Sequence, residues 1–146
     1  MPRVGVFICW CGTNIAGTVD IGKVIEDVRS FPDVVYVDEY RYLCSEVGQE
    51  LIKKAIETER LDRVVVGTCS PRMHEITFRR AVSEAGLNPY LLEVANIREQ
   101  CSWVHRNMDE ATAKATALIR AAVAKVALNN PLDAPRMEVE KRALVI

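Results

Sequence analysis

The chain has 146 residues, 49% hydrophobic and 27% charged, and its 19 Lys and Arg against 20 Asp and Glu leave a formal net charge of −1. That is enough for one ordinary domain with its own core, and the even charge balance argues against nucleic-acid or membrane-surface binding, each of which needs a basic excess. No apolar run approaches the ~20 residues of a spanning helix, and the apolar stretch from Met1 to Trp10 is too short for a secretory signal, so the reducing cytoplasm is the expected compartment.

Residues 3–8, Arg-Val-Gly-Val-Phe-Ile, predict a first buried strand that ends in Cys9-Trp10-Cys11-Gly12. From Asp20 the residues Ile21, Val24, Ile25 and Val28 recur at the i, i+3, i+4, i+7 spacing of a helix, which Phe31-Pro32-Asp33 stops. Val34 to Val37 predict a second strand leading to Cys44-Ser45. A second helix follows from about Glu46 to Glu59, with Val47, Leu51, Ile52, Ala55 and Ile56 on one face. Val64-Val65-Val66-Gly67 predict a third strand that delivers Thr68-Cys69-Ser70-Pro71, where Ser70 suits an N-cap and Pro71 the first helical position. The helix after it carries Met73, Ile76, Phe78 and Ala81 toward a stop at Gly86.

Tyr90 to Val94 predict a fourth strand. Asn96 with Glu99 three residues on resembles a capping box, so a helical turn that includes Cys101 is expected there. A helix of about 20 residues from Asp109 carries Ala111, Ala115, Leu118, Ile119, Ala122, Val123 and Val126 as its stripe, and Asn129-Asn130-Pro131 ends it. The tail from Met137 finishes Arg142-Ala143-Leu144-Val145-Ile146, which reads as a strand cut off at its end. Alternating strands and helices imply an α/β fold: a three-layer, Rossmann-like parallel sheet of about four strands with helices on both faces. The expected division is 1–130 for the cysteine-bearing domain and 131–146 for a linker and first strand of a further domain.

Five cysteines, Cys9, Cys11, Cys44, Cys69 and Cys101, are an odd set in a chain with an ample core, a setting that favours metal binding or catalysis over disulfides. From Cys11 onward they recur at intervals near the ~30 residues of one βα unit. Each unit therefore delivers a cysteine just past its strand, and in a parallel sheet all those ends lie on one side, where ligands bind. Ser45, Ser70 and Ser102 follow three of them and Gly12 the fourth. Such small residues at helix N-termini let backbone N–H groups approach a sulfur, besides serving as plain caps.

Four thiolates suit iron or zinc. Paired zinc knuckles and the close-spaced ferredoxin run are both absent, and the wide spacing favours a larger object, an iron–sulfur cluster, over one ion. Cys11, Cys44, Cys69 and Cys101 are the expected ligands. Cys9 is left as a buried strand-end thiol, a fifth ligand or a replacement, since residues 9 and 11 of an extended segment point the same way. His74 and His105 suit a supporting donor or proton relay, or a plain packing role. Arg98 suits shielding of cluster charge, or solvent.

The segments Val4 to Gly17 with Cys9-Trp10-Cys11-Gly12, Cys44-Ser45 with Gly48-Gln49, Cys69-Ser70-Pro71-Arg72-Met73-His74-Glu75, and Ala95 to His105 together resemble the N-terminal region of the A subunit of heterodisulfide reductase, the iron–sulfur flavoprotein of methanogens and other anaerobes. Trp10, where a His is expected in many relatives, is a modest departure. The resemblance covers nearly the whole chain. It implies an oxidoreductase component that binds FAD and several [4Fe-4S] clusters in flavin-based bifurcation, with one cluster in this domain. It implies as partners other heterodisulfide reductase-type subunits, together with the remainder of the flavoprotein itself. Arg142 to Ile146 resembles the strand that enters the FAD-binding Gly-x-Gly-x-x-Gly loop, and that loop is absent from this sequence, so FAD is expected only in the full-length subunit. The alternative reading is a zinc- or thiol-based interaction module that docks a larger redox complex. The apolar strand end and the stripe of the last helix would leave a patch open to self-association, so a homodimer is a further expectation.

Overall fold

The computed structural model describes residues 1–133 and 135–143. Its elements run β1 (Val4–Cys9), α1 (Ile21–Val28), β2 (Val34–Tyr40), α2 (Glu46–Thr58), β3 (Arg63–Thr68), α3 (Pro71–Glu84), β4 (Leu92–Asn96) and α4 (Met108–Leu128). The four strands form one sheet in the order β2-β1-β3-β4, with every neighbouring pair parallel. This is the expected α/β layering. Helices α1 and α4 cover one face and α2 and α3 the other.

Cover on both faces explains why β1 is buried along its whole length and reads as a continuous apolar run. Its side chains alternate all the same. Val4, Val6 and Ile8 enter the core beneath α1 and α4, and Phe7 and Cys9 the core beneath α2 and α3. Each helix begins on a side-chain cap: Asp20 accepts from the Lys23 N–H at 3.0 Å, Ser45 from Gly48 at 3.2 Å, Ser70 from Arg72 at 3.3 Å and Asn107 from Glu110 at 3.1 Å.

Several details differ from the sequence reading. Val47 is exposed and Gly48 takes its place against the core, because α2 lies with its first turn pressed on the chain before it. Met73 and Ile76 are exposed too, since the buried stripe of α3 begins only at Phe78. Strand β4 starts at Leu92, because Pro89–Leu91 form a 3₁₀ turn capped by Asn88, which accepts from the Tyr90 N–H at 3.0 Å. Residues 137–143 carry no helix or strand, and the rest of the strand expected at the tail, 144–146, lies outside the described residues. No helix among the described residues is long and apolar enough to cross a membrane.

Candidate metal centre

The sheet ends deliver the cysteines in different ways. Strand β1 runs through Cys9, and the chain then turns on two successive left-handed residues, Cys11 at φ 52° and Gly12 at φ 64°. A side chain at Gly12 would be strained by its backbone and would meet the Tyr42 hydroxyl at 3.0 Å, so the turn calls for glycine. Cys11 itself accepts the strained conformation, a recurrent property of functional positions. The extended geometry that would aim residues 9 and 11 alike ends before Cys11. Instead the Cys11 N–H donates to the Cys9 sulfur at 3.3 Å.

The turn is tied to the chain after β2. The Trp10 N–H donates to the Tyr40 carbonyl at 3.2 Å and the Gly12 N–H to the Arg41 carbonyl at 3.3 Å. Cys44 follows at the head of α2. The Ser45 hydroxyl donates to the Tyr42 carbonyl at 2.7 Å, and Gln49 Nε2 to the Cys44 carbonyl at 2.9 Å. Gly48 lies so close beneath this loop that a Cβ would fall 2.4 Å from the Leu43 Cα. Cys69 is buried at the end of β3, with the Thr68 hydroxyl 3.8 Å from its sulfur.

These thiols sense one another. Burial raises the pKa of Cys44 above its ordinary value, and the neighbouring thiols of Cys9, Cys69 and Cys11 raise it further. Burial likewise raises Cys69. The Thr68 hydroxyl and the Arg98 charge oppose the rise, while Cys11 and Glu99 add to it. Cys44 thus lies within the field of Cys9, Cys69 and Cys11, and Cys69 within that of Cys11.

Cys101 stands apart. It is fully buried in the core beneath α1 and α4, and its thiol donates to the Ala111 carbonyl of α4 at 3.1 Å. Burial raises its pKa, and Lys114 and the Ala115 backbone lower it, with no other thiol contributing. Of the four expected ligands, the fold brings Cys11, Cys44 and Cys69 together, and the thiol that joins them is Cys9. The reason is topological: β4 hands the chain to α4 on the face opposite α2 and α3, so Cys101 turns away from Cys9 and Cys44.

Arg98 closes the site from the turn after β4. Its Nη1 lies 2.9 Å from the Cys11 sulfur, its Nη2 3.1 Å from the Met73 sulfur, and its guanidinium carbon 4.8 Å from the Trp103 ring centroid. The Nε–Nη2 edge pairs with Glu99 Oε1 at 3.2 and 2.7 Å. Glu99 completes half of the expected capping box, since its N–H donates to Asn96 Oδ1 at 3.0 Å, but its carboxylate accepts from the Ser70 N–H at 2.8 Å instead of reaching back to Asn96. The turn Arg98–Ser102 winds as a π-helix, a rare form frequently found at functional sites. Of the histidines, His105 has Nδ1 2.8 Å from the Cys101 carbonyl, and His74 is half-buried in the first turn of α3.

No family model matches the chain. Among curated proteins, the iron-sulfur A subunit of a CoB–CoM heterodisulfide reductase from Methanopyrus kandleri is 55% identical over 99% of this chain and 22% of its own length. The A subunit of an H(2):CoB-CoM heterodisulfide,ferredoxin reductase from Methanothermobacter thermautotrophicus is 53% identical over the same shares, 99% and 22%. A protein of Archaeoglobus profundus described as like the heterodisulfide reductase A subunit is 49% identical over 99% of this chain and 21% of its own length. The chain is a homologue of part of the heterodisulfide reductase A subunits. It spans about a fifth, 22%, of the length of the first two relatives, a share that fits one N-terminal domain of a longer protein. The segments that carry the family resemblance also build the site: the Cys9 to Gly12 turn, the Cys44 loop with Gly48 and Gln49 beneath it, the Cys69-Ser70 cap and the Arg98 turn.

Proposed function

We propose that this domain of the heterodisulfide reductase A-subunit family holds one [4Fe-4S] cluster at the carboxyl edge of its sheet. There it passes single electrons between that cluster and the FAD of the full-length subunit. The observation that supports the reading is the placement of Cys9 and Cys69 at the ends of β1 and β3, with the Cys11 N–H on the Cys9 sulfur, Arg98 on the Cys11 sulfur and Cys44 in the loop beside that turn. Cys11, Cys44 and Cys69 keep the ligand roles expected from the sequence, and Cys9 takes the fourth place in preference to Cys101.

The donor set suits that cofactor. Four thiols are the ligand complement of a cubane, and Cys9, Cys11, Cys44 and Cys69 supply that number. The Cys11 N–H and the Arg98 fork both direct donors at sulfur, the kind of hydrogen bonding that stabilises cluster ligands. Bound there, a cluster supplies storage for one electron at a time; two-electron chemistry falls to a flavin. No Gly-x-Gly-x-x-Gly loop occurs in the sequence, so FAD belongs with the rest of the full-length protein. Residues 1–130 then form the cluster domain and 131–146 the passage to the flavin domain. The remaining chain and other reductase subunits are its cytoplasmic partners.

Anaerobic reconstitution of the purified chain tests the proposal. The expected product is brown, contains iron and acid-labile sulfide in near-equal amounts, carries no FAD and is reduced reversibly by one electron. Uptake of stoichiometric zinc with no sulfide would replace this reading with that of a zinc-held docking module.

A further inference from the structure

We infer that Arg98 is a positioning residue that sets the reduction potential of the thiol site, by fixing a positive charge and an N–H···S hydrogen bond on Cys11. The inference rests on the proposed cluster and assigns a role to a side chain that supplies no ligand.

The geometry divides the guanidinium by edge. Its Nε–Nη2 edge is occupied by the Glu99 carboxylate, and that leaves Nη1 to face the Cys11 sulfur at 2.9 Å. The ion pair is thus an oriented dipole whose positive end points at the ligand. It is held from several sides. Trp103 stacks on the guanidinium at 4.8 Å, the Met73 sulfur lies 3.1 Å from Nη2, and Glu99 is itself fixed through its Oε2 by the Ser70 N–H at 2.8 Å. The Arg98 side chain is only 12% exposed, so its field reaches the sulfur through a partly dry path and is weakly screened.

Reduction adds one electron from an external one-electron donor; no covalent bond of the protein forms or breaks, and the site gains one negative charge. A fixed cation with a hydrogen bond to a ligand sulfur favours that more negative state and raises the potential. Lysine can supply the charge but not the fork that serves Cys11 and Glu99 at once.

The test compares wild type, Arg98→Gln and Arg98→Lys after anaerobic reconstitution, with the midpoint potential read by spectroscopically monitored redox titration. Loss of the charge in Arg98→Gln is expected to shift the reduction equilibrium about tenfold toward the oxidised form, ~59 mV for a one-electron couple. Arg98→Lys should stay within about threefold of wild type. Equal potentials in wild type and Arg98→Gln, or equal shifts in Gln and Lys, overturn the inference, because packing and not charge would then matter. If Arg98→Gln takes up no cluster, Arg98→Lys decides: a near-wild-type potential supports the role, and failure of Lys to assemble or to hold the potential overturns it. Wild type that takes up no iron and sulfide defeats the cluster proposal itself, an outcome distinct from wild type that loads normally beside variants of unchanged potential.

Discussion

Cys9 and Cys101 offer a matched pair of substitutions. Both are nearly or fully buried, at 2% and 0% exposure, and each loses one heavy atom on replacement by alanine. Deleting one buried heavy atom with partial relaxation costs about 0.5–1.5 kcal/mol. Cys101→Ala also loses a weak thiol hydrogen bond to Ala111, which lies inside α4 and keeps its acceptor role in the helical ladder. Cys9→Ala loses the acceptor of the Cys11 N–H, a contact of comparable weight. Each variant is therefore expected to lose about 1–2 kcal/mol without cofactor, a fall in Tm of roughly 3–7 °C for a chain of this size.

Their iron contents should differ sharply. Cys101→Ala is expected to keep most of its iron and sulfide after anaerobic reconstitution, and Cys9→Ala to lose the four-iron cluster as fully as Cys44→Ala does. Matched thermal scans of the cofactor-free variants, followed by iron and sulfide assay and low-temperature electron paramagnetic resonance after reduction, separate folding from ligation. A Cys101→Ala protein without iron beside a Cys9→Ala protein with a full complement would refute the reasoning. It would mean that the turn Arg98–Ser102 rearranges to bring Cys101 across the sheet edge.

Gly48→Ala places a Cβ against the Leu43 backbone, so α2 and the Cys44 loop must part; destabilisation of about 1–3 kcal/mol with lower cluster occupancy is expected by denaturant titration and iron assay. Arg63 donates from Nε to the Val126 carbonyl at 3.2 Å and from Nη2 to the Asn129 carbonyl at 3.3 Å, closing the end of α4 onto β3. Arg63→Met should cost about 1–2 kcal/mol in chemical unfolding, with cluster loading unchanged. Burial first, then a hydrogen bond and the charge of Asp38, push the Tyr36 phenol up to about 12. A raised acid is neutral in the folded chain while the unfolded chain ionises. Its contribution is thus full below pH ~10 and is lost as pH rises toward 12. Wild type should lose more stability than Tyr36→Phe across that window, with tyrosinate absorbance tracking the titration.

Much of this architecture is legible in the sequence because it depends on local signals. The β-rich runs, the caps Asp20, Ser45 and Ser70 and the recurrence of a cysteine near each strand end specify a parallel sheet with thiols along one edge. What spacing does not encode is the side of the sheet to which each loop turns. Cys101 follows β4 much as Cys69 follows β3, yet α3 and α4 lie on opposite faces, and the two thiols enter different surroundings. Arg98 is equally ambiguous in the sequence, since its partner Cys11 lies 87 residues away and no local pattern announces the pair. Glu99 carries a capping signal, but a tertiary donor, the Ser70 N–H, outcompetes the local one. Met73 and Ile76 are apolar without being core, and the only trace of that in the sequence is their place ahead of Phe78 in α3.

The strand order explains why the site forms where it does. In the sequence β2-β1-β3-β4 the connections leaving β1 and β3 depart to opposite faces, α1 on one and α3 on the other, and open a crevice at their carboxyl ends. Cys9 and Cys11 stand at the β1 side of that crevice and Cys69 at the β3 side, while Cys44 arrives from the neighbouring edge strand β2. The fourth strand brings Arg98 back over the same opening, and Ile97 fixes that return by donating its N–H to the Thr68 carbonyl at 2.8 Å. The topology thus assigns two kinds of residue to the crevice, sulfur from β1, β2 and β3 and positive charge from β4. The proposed cluster, with negative sulfur to hold and a further electron to accept, would draw on both.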